Sequence, residues 1–254
     1  MAMMIVTRGK ILEVVVLAAL VAIGTAAPAM WPGSRDGFEC PPPGFDSVKG
    51  LDLRKYVSAP WYVQEQMPVA YQSVEDLYCV RARYVLQDED DLTKGITVYN
   101  YANKGEVNGP AEGTSGTGGS SFQLQAVVPD LNDASKLLVG PSFLEKLLGE
   151  ELAERFYGDY WVVAVGPSSN ETLGYDWAII SGGPPRTRGM DGCMTGSKFL
   201  DRFQINGAGF WLFSRKPVDP ESTEAMRKVA KEKGFDLSVL RKVEQEGCKY
   251  EGAL

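Results

Sequence analysis

The sequence predicts an all-β fold: an eight-stranded antiparallel up-and-down β-barrel with a C-terminal α-helix packed outside it. Three observations predict it. Period-two alternation of apolar and polar residues dominates between residues 60 and 215, and no helices alternate with the strands as crossovers. Trp61 enters the first strand and Arg215 leaves the last. A guanidinium laid over an indole face contributes roughly 0.5–2 kcal/mol and can also cap loose carbonyls, so this pair would seal the narrow end of a closed barrel. A two-sheet sandwich is the alternative that alternation alone leaves open.

The elements follow in order. Residues 1–27 read as a signal or targeting segment, with Arg8 and Lys10 before an apolar run and Thr25, Ala26 and Ala27 as small residues for cleavage. Residues 28–44 form an N-terminal arm, and residues 45–254 the barrel domain. After the Trp61 strand, Val80, Ala82 and Tyr84 alternate with Arg81, Arg83 and Val85, the pattern of a half-buried strand. Ile96, Val98 and Asn100 alternate with Thr97, Tyr99 and Tyr101 in the next. A weak, Gly-rich strand is expected near residue 112, and Phe122, Leu124, Ala126 and Val128 then share one face. Strands at 160–165, 175–181 and 210–215 bring the expected total to eight. Phe143, Leu144, Leu147, Leu148, Leu152 and Phe156 fall at helical spacing, which predicts one amphipathic helix over about 141–156, packed on the barrel. Residues 182–209 form a long loop containing Cys193. Pro220 opens a last helix to about residue 233, with Gly234 as its C-cap.

Composition excludes several functions. The chain has 254 residues, 44% hydrophobic, enough for one full core, and a net charge of −7 with no basic stripe for nucleic acid. It has no histidine, which removes the commonest general base and the commonest zinc ligand, and no metal or cofactor is expected. The four cysteines, Cys40, Cys79, Cys193 and Cys248, lie far apart with no CxxC pair. They predict two disulfides with three possible connectivities. Asn170, in Asn170-Glu171-Thr172, is a glycosylation candidate if the export route allows it.

The run Phe210-Trp211-Leu212-Phe213-Ser214-Arg215-Lys216-Pro217, the helix after it, then Gly234-Phe235-Asp236 and Gly247-Cys248 resemble the C-terminal third of lipocalins of the apolipoprotein D and bacterial lipocalin group. Phe45-Asp46, Leu53-Arg54-Lys55-Tyr56 and Trp61-Tyr62 resemble the family's entry to its first strand, and 160–164 its sixth. Ser181-Gly182-Gly183-Pro184-Pro185 and Asp191-Gly192-Cys193 look more like plastid lipocalins of plants and algae. Two motifs depart from the pattern. Ala59-Pro60-Trp61 lacks the family's glycine two residues before the tryptophan, and Val165-Gly166-Pro167 stands where the family has Thr-Asp-Tyr, a motif tied to receptor contact. The resemblance implies pairing of Cys79 with Cys248 and of Cys40 with Cys193. Cys79 shares the outward face of Arg81 and Arg83, which fits. Each bridge would close a loop longer than 100 residues, roughly 4–5 kcal/mol in chain-entropy models.

If Arg215 points into the sealed end, period two turns Phe213 and Trp211 inward, and with them Val80, Ala82, Tyr84 and Val98. Asn100 would follow as an inward polar group able to orient a head group. Phe122, Leu124, Trp161 and Val163 complete the expected ligand cavity, to which a packed core is the alternative. The expected function is binding and transport or sequestration of a small hydrophobic molecule: a fatty acid, sterol-like lipid or carotenoid. The plastid resemblance implies protection against lipid peroxidation and oxidative stress. A structural or assembly subunit of a membrane complex, with peripheral membrane association, is the alternative. A violaxanthin de-epoxidase-like enzyme, with Asp76, Asp159 and Asp176 as its carboxylates, is the weaker one, and an enzyme is not expected. Secretion is expected, with a plastid (thylakoid) lumen as the alternative.

Overall fold

The computed structural model describes residues 38–69, 72–113, 123–196 and 208–254. The targeting segment, most of the N-terminal arm and Phe122 lie outside the described residues. Eight antiparallel strands close into a barrel: β1 (Trp61–Gln66), β2 (Tyr78–Leu86), β3 (Ile96–Asn103), β5 (Leu124–Val127), β6 (Lys136–Pro141), β7 (Gly158–Pro167), β8 (Tyr175–Ser181) and β11 (Phe210–Ser214), the last returning to pair with β1. The short β4 (Ala111–Gly113) pairs with β3 beyond the stretch that β5 covers. A hairpin of β9 (Thr187–Arg188) and β10 (Cys193–Met194) stands in the long β8–β11 connection, and β12 (Arg241–Lys242) pairs with β1 near the C-terminus. The helices are α1 (Leu53–Tyr56), α2 (Ser142–Leu148), α3 (Glu150–Glu154) and α4 (Pro220–Glu232).

The expected barrel is present, but its membership differs from the sequence reading. Residues 136–141 are a full barrel strand that alternation did not mark, because Leu137, Leu138 and Val139 are consecutive apolar residues followed by Gly140 and Pro141. The weak strand near 112 is only a fragment of wall. Where one amphipathic helix was expected over 141–156, the chain makes two, because Gly149 takes φ +80 and ψ 158 and ends the first turn sequence. Their apolar side chains do not cover the barrel: Phe143, Leu147, Leu152 and Phe156 are exposed, and Ala153 alone among α2 and α3 is buried.

Helix α4 lies outside as expected. Asp219 caps it by accepting from the Ser222 N–H at 3.2 Å, Pro220 occupies the first turn, and Gly234, at φ +82, follows its end. Its buried Met226 and Ala230 pack on the outer faces of β7, β8 and β11 with Val163, Ile179, Phe210 and Leu212. Phe235 stacks on Phe210 at 4.3 Å between centroids and meets Phe45, ahead of β1, edge-on at 5.5 Å.

Both disulfides form, Cys40–Cys193 and Cys79–Cys248, each with Cα atoms 5.5 Å apart. The second fixes a feature with no sequence signal. Strand β1 pairs with β2 only at Trp61 and Tyr62. Below that point residues 241–245 fill the seam: Val243 N–H donates to the Gln64 carbonyl, Glu244 N–H to Leu77, and Gln245 Nε2 bridges the carbonyls of Val63 and Val80 at 2.8 and 2.7 Å. Val243 joins the interior cluster.

Candidate functional site

The sealed end is built from α1 and the pair that sequence singled out. Asp52 caps α1 through its carboxylate, and the helix buries Leu53 and Tyr56 against the interior. The Arg215 guanidinium carbon sits 3.4 Å from the centroid of Trp61. Its nitrogens donate to the carbonyls of Tyr175, Lys55, Tyr56, Pro60 and Ala59, and the Trp61 indole N–H donates to Tyr56 at 3.0 Å. Burial pulls the guanidinium down to about 10, while the Tyr56 phenol near it pushes the other way. Pro60, which cannot donate to the ladder, is used here as an acceptor.

Above the seal, three phenols from three elements meet. Tyr160 on β7 shares hydrogen bonds with Tyr56 of α1 at 2.6 Å and with Tyr84 of β2 at 2.8 Å. Burial pushes the Tyr56 and Tyr160 phenols well above their ordinary range, so they stay neutral hydrogen-bonding groups. Neither Tyr56 nor Tyr160 was marked as a site residue from sequence.

Toward the far end the inner wall is laid out in rows by strand register. Val63, Phe213, Ala178 and Val165 form one row across β1, β11, β8 and β7, and Gln66, Trp211, Ile180 and Val162 the next. On the opposite side Tyr84, Val98 and Leu124 line up across β2, β3 and β5. Val80, Ala82, Tyr84, Val98 and Phe213 are buried in this interior cluster, with Leu124 and Trp211 packed against it. Trp211 keeps its place because residue 209 is glycine: a Cβ there, at φ +152, would come within 1.7 Å of the indole ring.

Two bulges shift the phase and overturn part of the expected cavity. A register slip between Val162 and Ala164 puts Tyr160, Val162 and Val165 inside, and Trp161 and Val163 outside in the cluster under α4. The slip between Val63 and Glu65 turns Glu65 outward to an ion pair with Arg227 of α4 at 2.6 Å and turns Gln66 inward. Asn100, opposite the inward Ala82 in register and between Val98 and Ala102, keeps the inward phase of β3 but is exposed, where β3 changes its neighbour from β5 to β4 between Val98 and Tyr101.

The carboxylates considered for catalysis do not converge. Asp76 closes a capping box with Ser73, Asp159 sits at the start of β7 with its side chain reaching solvent and partial desolvation raising its carboxyl, and Asp176 lends its carbonyl to the Arg215 N–H. They belong to three separate elements and share no hydrogen bond with one another among the described residues. Asn170 lies exposed in the β7–β8 loop, its side-chain oxygen accepting from the N–H groups of Thr172 and Leu173. Among the described residues no helix is long and apolar enough to cross a membrane.

No family model matches the chain, and no curated protein matches its sequence. Solved structures similar to it include apocrustacyanin C2, at 12% identity and a TM-score of 0.47, covering 80% of this chain and 84% of that one. The cockroach allergen Per a 4 matches at 16% identity and a TM-score of 0.46, covering 79% and 92%. Lobster apocrustacyanin A1 matches at 11% identity and a TM-score of 0.46, covering 87% and 98%.

Proposed function

We propose that this chain binds a small hydrophobic molecule inside the barrel and transports or sequesters it. One observation carries the reading: the inner face is an apolar wall sealed at one end by Trp61 and Arg215, with Trp211 on the far side of Phe213 along the same strand. Eight strands enclose an interior that side chains fill or that holds one small ligand. The proposed lining is Val80, Ala82, Tyr84, Val98, Leu124, Trp211 and Phe213, to which we add Gln66, Tyr160 and Ile180 from the same inner-wall rows. Fatty acids, sterol-like lipids and carotenoids fit such a wall, and withdrawing an unsaturated lipid into it would limit its peroxidation. The two disulfides suit an extracytosolic compartment. We assign export with secretion first and a thylakoid lumen second, and place any glycan on Asn170, on the β7–β8 loop.

A second reading has its own observation. Phe143, Leu147, Leu152 and Phe156 expose an apolar surface on the β6–β7 connection, as an assembly subunit or a peripheral membrane protein would. Native mass spectrometry of the mature chain from its own source, before and after organic extraction, separates the two. A stoichiometric apolar adduct lost on extraction is expected. A bare mass with no uptake of fatty acids or carotenoids would favour the subunit reading. Trp211→Ala is expected to weaken binding of such a ligand by about 1.5 kcal/mol, roughly tenfold in Kd, with the fold kept. Equal binding would remove Trp211 from the lining.

A further inference from the structure

We propose that Gln66 is the hydrogen-bond acceptor for the cargo, and that the barrel thereby selects apolar molecules carrying an O–H or N–H donor. This deepens the carrier reading and rests on it. Gln66 is 0% exposed. The β1 bulge places it opposite Trp211, in the inner-wall row that continues through Ile180 and Val162. Its Nε2 donates to the Gln72 Oε1 at 3.0 Å, and the Gln72 Nε2 reaches the Asp76 carbonyl at 3.5 Å. A carbonyl can only accept, so Asp76 orients the Gln72 amide with its oxygen toward Gln66. That in turn orients Gln66 with its NH2 group toward Gln72. What remains is the Gln66 Oε1, buried and without a hydrogen-bond partner among the described residues.

Native proteins leave very few buried polar atoms unsatisfied, because an amide oxygen stripped of water and given no donor is strongly destabilising. Ile180 and Val162 have no donor to offer, and the Trp211 indole does not reach it. On the inner wall, the donor for Gln66 arrives with whatever occupies the barrel. A hydroxyl, an amide N–H or a protonated carboxylic acid supplies it. An ether, an ester or a bare hydrocarbon leaves the oxygen orphaned, and an ionised carboxylate sets a negative charge against its lone pairs.

The test compares decanol with methyl nonyl ether, two isomers of equal carbon count of which only the alcohol carries a donor. Each displaces a fluorescent apolar reporter, anilinonaphthalene sulfonate, from the full chain. Wild type is expected to bind the alcohol about tenfold more tightly than the ether. Gln66→Leu, or Gln66→Met if the leucine variant fails to fold, is expected to abolish that preference without weakening the ether. Equal binding of both ligands by wild type overturns the proposal and leaves the carrier reading standing; a fixed water on the oxygen would produce that result. A variant that keeps the full preference also overturns it. No binding of either ligand, with the reporter bound or not, overturns the proposal together with the carrier reading.

Discussion

The two ends of the barrel are satisfied in opposite ways. At the sealed end nearly every polar atom is spent inside the protein: one guanidinium serves five carbonyls and an indole face, and three phenols bond to one another. At the far end a buried amide oxygen has no partner, and the β6–β7 connection turns leucine and phenylalanine side chains to solvent. Closure is therefore a folding device, concentrated where the chain enters and leaves the barrel. On the carrier reading proposed above, recognition and contact fall to the other end. This difference makes the two ends separable by mutation.

The largest effect is expected at Arg215. Arg215→Met keeps much of the apolar stem but strips donors from the carbonyls of Lys55, Tyr56, Ala59, Pro60 and Tyr175 and ends the cation-π contact. A loss of about 3 kcal/mol is expected in urea unfolding, from buried acceptors left without partners. Arg215→Lys is expected to recover less than half of it, because an ammonium cannot serve five acceptors in one plane. If the methionine variant is as stable as wild type, the seal is not what closes this end, and the contrast between the ends fails.

The seam between β1 and β2 lies between the two extremes. Residues 241–245 bridge strands that do not reach each other, and Cys79–Cys248 holds them there. Replacing both cysteines by alanine opens a loop of 169 residues, for which chain-entropy models give about 4–5 kcal/mol and measurement commonly finds less. We expect about 2 kcal/mol, with hydrogen exchange accelerated first at the Val243 and Glu244 amides while the Arg215 amide stays protected. Uniform acceleration across the barrel would show that the seam has no independence.

What sequence made legible follows the same division. Trp61, Arg215 and helix α4 were readable because each rests on residue types whose chemistry is specific: a cation over an indole, a proline at a helix start and a glycine past its end; the cysteine pairing came from the family resemblance, since the four cysteines alone left three connectivities open. The inner wall was only half readable. Val80, Ala82 and Tyr84 lie on a stretch of β2 with unbroken alternation, and they point inward as period two requires. On β1 and β7 a single extra residue reverses the phase, which is how Trp161 and Val163 came to be expected inside and Gln66 was overlooked in Gln64-Glu65-Gln66. The hint available in sequence was Glu65: strict alternation from Trp61 would bury its charge, so a slip before it was the cheaper arrangement. Strand β6 and the break at Gly149 carried no comparable hint, since three adjacent apolar residues fit strand and helix alike.

The smallest effect is expected at the far end, and it sharpens the contrast more than it tests any one contact. Leu147 is 72% exposed on α2. Leu147→Ser removes little buried area, so its cost is expected to stay below about 0.5 kcal/mol, most of it the poorer helix propensity of serine. The same change should nonetheless lower adsorption of the chain to neutral phospholipid vesicles, measured by co-sedimentation, if the exposed side chains of α2 and α3 form a contact surface. A large stability loss would mean that this helix is part of the folded core after all. Unchanged stability with unchanged vesicle binding would confine the working surface of the far end to the barrel interior, where Gln66 and Trp211 face each other across β1 and β11.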